Sequence, residues 1–155
     1  MKITPILLAA VLAMPAAASA QIVRVGAPTS PISSIVVAPA GGKVAYVAGI
    51  TAPPPPGGGP RTEDTQAQTI AALTKIKELL TAQGFGMGDI VMLRVYLVAD
   101  PNKGNAPDRE GMTAGYKQFF GAADQPNKPS RTTIQIAGMG QGGLVEIDAQ
   151  AVKAP

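Results

Sequence analysis

Apolar residues at Ile70, Leu73, Ile76 and Leu80 recur at spacings of three, three and four, with Lys75, Lys77 and Glu78 off that stripe. The period predicts an amphipathic helix. Thr62 is its predicted cap, Glu63 and Asp64 suit the positive end of its dipole, and Gly84 closes it in the left-handed conformation. Before it, residues 34–38 and 44–50 are short β-branched runs separated by Gly41-Gly42, which predicts a hairpin. Residues 53–60, four prolines followed by three glycines and a proline, cannot sit inside a sheet and predict a surface loop.

After the helix, residues 90–99 form an almost continuous apolar run broken only by Arg94 and Tyr96, which predicts a strand covered on both faces. A Pro/Gly/Asn-rich loop follows over residues 100–107. A second helix is predicted over 108–120, with Met112, Tyr116 and Phe119 as its apolar stripe. Gly111 and Gly115 each weaken it by about 1 kcal/mol relative to Ala. Two last strands, 131–136 and 144–152, flank the Gly-rich turn 138–143. The order strands, helix, strand, helix, strands predicts an α+β fold: a single mixed β-sheet with two helices packed on one face.

The first twenty residues change the picture of where this chain works. Lys2, an apolar stretch over residues 6–13 and the small-residue triplet Ala18-Ser19-Ala20 predict a secretory signal peptide over 1–20. That stretch is too short for a membrane span, which needs about 20 apolar residues. The expectation is an exported, periplasmic protein of one domain, residues 21–155. Loss of Lys2 lowers the formal charge from +3 to +2, too little to predict a nucleic-acid or anionic-membrane surface. The chain contains no His and no Cys. His/Cys metal sites, thiol nucleophiles, Ser-His-Asp triads and disulfides are thereby excluded. Chemistry must come from carboxylates, Arg, Lys, Tyr, Ser, Thr or backbone dipoles.

Five stretches carry a resemblance: Asp64-Thr65-Gln66-Ala67-Gln68-Thr69, Gly88-Asp89-Ile90-Val91 with Arg94-Val95-Tyr96-Leu97, Tyr116-Lys117-Gln118-Phe119-Phe120, Pro129-Ser130-Arg131-Thr132-Thr133, and Glu146-Ile147-Asp148-Ala149. In this order and at these separations the chain resembles the Rid family of reactive intermediate deaminases, also called YjgF. The resemblance implies a chorismate-mutase-like fold, a barrel-like homotrimer and ligand clefts between neighbouring subunits. It implies hydrolysis of 2-imino acids to 2-keto acids and ammonia, with no cofactor and no metal. Arg131 stands at the family's carboxylate-binding position, where a planar fork can hold a carboxylate through two hydrogen bonds. Glu146 stands where the family places the carboxylate that activates water. Thr133, Gly49 and Thr113 fall at further substrate-binding positions.

Residue by residue, bland readings stay open. Arg131 also suits a surface ion pair at a strand start, and Glu146 shares one strand face with Asp148 and Gln150. The chain departs from the family in Ser30-Pro31-Ile32, where Gly-Pro-Tyr is common, and in Ala48-Gly49-Ile50, where Ser-Gly-Gln is common. Thr113 replaces a frequent Asn. The alternative expectation is therefore a non-catalytic small-ligand-binding or holdase-like protein of the same family. Cleavage of RNA, an activity attached to some members, fits poorly with a chain that lacks His and is nearly charge-balanced.

Overall fold

The computed structural model describes residues 21–155. The signal segment predicted over 1–20 lies outside these described residues. In chain order the elements are β1 (Val23–Val25), β2 (Ile35–Val37), β3 (Lys43–Thr51), α1 (Thr65–Ala82), β4 (Ile90–Leu97), β5 (Ala99–Asp100), β6 (Ala106–Pro107), α2 (Arg109–Tyr116), β7 (Ser130–Gln135) and β8 (Val145–Lys153). The fold is α+β. Its main sheet has the order β3-β8-β4-β7, with β7 parallel to β4 and the other neighbours antiparallel. Two small ladders, β1-β2 and β5-β6, stand beside it.

Strand alternation puts one set of side chains against the helices. Leu93, Val95 and Leu97 of β4 face the same way as Val145, Ile147 and Ala149 of β8, and all are buried. Leu73, Ile76 and Leu80 of α1 and Met112 and Tyr116 of α2 close over them. Gly115 lets the two helices meet, because a Cβ there would come within 2.9 Å of Gln66 O and Thr69 Cβ. A residue that costs helix propensity thus secures the helix–helix contact.

Several expectations change. The hairpin predicted between residues 34–38 and 44–50 does not form; β2 pairs instead with β1, a strand the sequence did not announce. Asp64 rather than Thr62 caps α1, since its Oδ1 accepts the Ala67 N–H at 2.8 Å. Ile70 is only half-buried, and Gln68 and Thr69 take its place on the covered face. α2 stops at Tyr116, with Phe120 reaching the core from the turn beyond it. Within one subunit β4 is covered on one face, because both helices lie on that side. Its other face holds Arg94, paired to Asp148 at 2.9 Å, and Tyr96, whose hydroxyl donates to Asp148 at 3.0 Å.

Candidate functional site

Arg131 lies near the start of β7, in register with buried Leu93, so its side chain is on the helix-covered face. There it meets α2. Its Nη1 is 3.7 Å from the Met112 sulfur, and its guanidinium carbon is 4.5 Å from the centroid of the Tyr116 ring. The Tyr116 ring stacks on Phe120 with centroids 4.7 Å apart, and its hydroxyl donates to the Pro31 carbonyl at 3.1 Å. Burial pulls the guanidinium below its ordinary pKa, and Tyr116 opposes that shift. An Arg remains charged under such a shift. Burial pushes the Tyr116 phenol up, so it stays a hydrogen-bond donor.

The ion pairs among the described residues are Lys75–Glu78 and Arg94–Asp148, which leaves Arg131 without an internal carboxylate. The surface ion pair considered for it is absent. Thr133 lies two residues along the same strand face, and its hydroxyl oxygen is buried without a hydrogen-bond partner. Leaving a buried hydroxyl unpaired costs about 1–3 kcal/mol. A cation and a hydroxyl on one face thus both have unused hydrogen-bonding capacity.

Glu146 is placed elsewhere. In β8 it is in register with Tyr96 and Thr51, on the sheet face opposite the helices, together with Asp148 and Gln150. Gly49 adjoins it from the irregular stretch of β3 between Val47 and Ile50, and a methyl group at Gly49 would overlap the Glu146 carboxylate. Gly49 also borders a cavity of about 620 Å³ between β3 and α1, walled by Thr51, Pro53, Ala71 and Thr74. Thr113, one residue on from Met112, lines an outer groove of about 480 Å³ with Arg109, Glu110 and Lys117.

One subunit therefore brings Arg131 and Thr133 together, and Glu146 and Gly49 together, but not the two pairs with each other. The sheet separates them. The residue for which sequence patterning gives no role at the site is Tyr116, which enters as part of a helix stripe and of a family-like stretch. Its signal is the pair of aromatics Tyr116 and Phe120, whose rings stack although Phe120 lies in the turn beyond α2. Among the described residues no three His, Cys, Asp or Glu side chains cluster to hold a metal ion. No helix among them is long and apolar enough to cross a membrane.

Residues 26–153 match the family model described as Endoribonuclease L-PSP. The chain is 39% identical over 84 residues to the 2-iminobutanoate/2-iminopropanoate deaminase of Capra hircus, a match covering 54% of each protein. It thus spans about half the length of that curated relative. Among solved structures it resembles YyfB, a protein of the conserved Rid family from Yersinia pestis. The TM-score is 0.67 at 24% identity, over 85% of this chain and 98% of that one, a likeness of fold. It also resembles Escherichia coli TdcF with bound serine, with a TM-score of 0.59 at 25% identity over 84% of this chain and 98% of that one.

Proposed function

This chain belongs to the Rid family, and on that premise we propose that it binds small carboxylates and hydrolyses 2-imino acids to 2-keto acids and ammonia. The observation that carries the reading is Arg131, a partly buried guanidinium with no internal carboxylate, beside the unpartnered Thr133 hydroxyl. A ligand carboxylate would supply partners to the guanidinium. The named activity of the Capra hircus relative supports the same substrate class.

The chemistry needs few parts. A protonated C=N bond is already electrophilic at carbon. Water adds to that carbon, the π electrons pass to nitrogen, and a base takes the proton that water releases. The base then returns its proton to the amino nitrogen of the resulting carbinolamine. The C–N bond breaks and ammonia leaves with that electron pair, while the oxygen lone pair forms the C=O bond and the hydroxyl proton passes to the ammonia, giving ammonium. Arg131 fixes the carboxylate and so places the reacting carbon. Glu146 is the proposed base. Because Glu146 lies on the opposite sheet face from Arg131 within one subunit, the complete site takes one residue from each of two neighbouring subunits of a homotrimer. Tyr46, 78% exposed, and Ile134, 45% exposed, leave apolar surface on the open sheet face, in keeping with such assembly. Export through the segment 1–20 is part of the proposal, and N-terminal sequencing of the secreted form would begin at Gln21.

A second reading, binding without turnover, is favoured by Ile32. It packs against the core where the family commonly has Tyr, so the phenol is missing from that position. One assay separates the two. An amino-acid oxidase generates the imine in situ, and keto-acid formation is followed with and without this protein. Acceleration over buffer that disappears in Arg131→Ala supports deamination. No acceleration rejects it, and an active Arg131→Ala rejects the role of the guanidinium.

A further inference from the structure

We infer that Tyr116 is the positioning residue of the carboxylate clamp: its ring face holds the Arg131 guanidinium in place of a carboxylate partner. The inference rests on the reading of Arg131 as a carboxylate binder and adds a residue to it.

The geometry makes the case. A buried Arg needs something to offset the loss of water, and acidic side chains usually supply it. A carboxylate would satisfy the charge but would occupy the N–H donors that a ligand needs. An aromatic face attracts the cation through its quadrupole and takes up no donor. With the guanidinium carbon 4.5 Å from the Tyr116 centroid, the charge is stabilised from below. Only the long contact of Nη1 to the Met112 sulfur engages a donor. The fork is thus held, and its other N–H donors have no partner among the described residues of the subunit.

The ring is itself immobilised. Phe120 stacks on it and the Pro31 carbonyl accepts its hydroxyl proton. The side chain is only 1% exposed, so it meets a ligand through Arg131 rather than directly. Its influence is on where the cation sits. It should therefore alter the affinity for a carboxylate ligand and, through the placing of the reacting carbon, kcat/KM as well.

The test uses 2-oxobutanoate, the keto acid expected from 2-iminobutanoate, as a binding probe on the full mature chain. Tyr116→Phe keeps the ring face and should bind within about twofold of wild type. Tyr116→Leu removes it and should bind about tenfold more weakly, in the range of a desolvated cation–π contact. Where assay of the deaminase is possible, kcat/KM should fall by at least the same factor. Replacing Tyr116 with phenylalanines carrying one, two and three fluorines keeps the shape and drains charge from the face. Affinity should then fall stepwise with each fluorine. A flat fluorine series, or a folded Tyr116→Leu that binds like wild type, overturns the inference. Arg131→Ala distinguishes the two levels. If it binds 2-oxobutanoate normally, the clamp reading fails; if it loses binding while the fluorine series is flat, only the role of Tyr116 fails.

Discussion

Tyr116 joins three partners: its ring meets Arg131 and stacks on Phe120, and its hydroxyl ties down Pro31, next to Ile32. Such a buried phenol has a measurable consequence at high pH. Burial raises its pKa above the ordinary value of 10.0. As pH rises past that value the unfolded chain loses this proton first, so the folded state binds more protons and stability falls. Below pH 10 the contribution is complete; between pH 10 and 11 about 1 kcal/mol is lost. Denaturant midpoints measured across that interval should decline less steeply in Tyr116→Phe by about that amount. Equal slopes would mean that the phenol is not held away from water.

At the scale of elements, the helix pair sets where Arg131 and Thr133 sit. α2 approaches α1 through Gly115, and a methyl group there would run into Gln66 O and Thr69. Gly115→Ala should gain about 1 kcal/mol of helix propensity and lose about 1–3 kcal/mol to overpacking. A net fall in the urea midpoint is expected; a rise would show that the helices can part at no cost. Gln68 locks the same region from the other side. Its amide donates to the Glu63 and Gly142 carbonyls and its oxygen accepts the Leu144 N–H, so α1 is joined to the Gly-rich turn before β8.

Much of this scale was legible in the chain. The apolar period of Leu73, Ile76 and Leu80 and the Gly84 stop at φ +77° mark α1, and the alternation of Glu146, Ile147, Asp148 and Ala149 marks β8. The failures have physical causes. Gly41-Gly42 permits a hairpin, but pairing is decided by long-range contacts. Arg24 of β1 donates to the Gly88, Ile90 and Lys128 carbonyls, holding the β1-β2 ribbon beside the start of β4. Hydrophobicity of β4 could not say how many layers cover it, because Met92 and Tyr96 suit a half-open face as well as a buried one. The candidate site was legible as residue types, and its division across the sheet was not. That division depends on strand register, which places Arg131 opposite Leu93 but Glu146 opposite Tyr96.

For the whole molecule, the proposed division of the site between subunits makes a prediction no single chain can satisfy. Arg131→Ala and Glu146→Gln should each abolish imine hydrolysis alone. Refolded together in equal amounts, they should form mixed trimers in which about a quarter of the clefts contain both native residues. Recovery of activity to that level supports a shared site, and continued inactivity of the mixture would place both residues in one subunit or outside the reaction. The central claim, that Arg131 holds the ligand's acid group, is tested most directly by calorimetric titration of the mature protein with 2-oxobutanoate and with its uncharged amide. Wild type should prefer the acid by about tenfold or more, as a charge-assisted bidentate pair requires, and Arg131→Ala should lose the preference. Equal affinity of wild type for acid and amide, or an unchanged preference in Arg131→Ala, would contradict it.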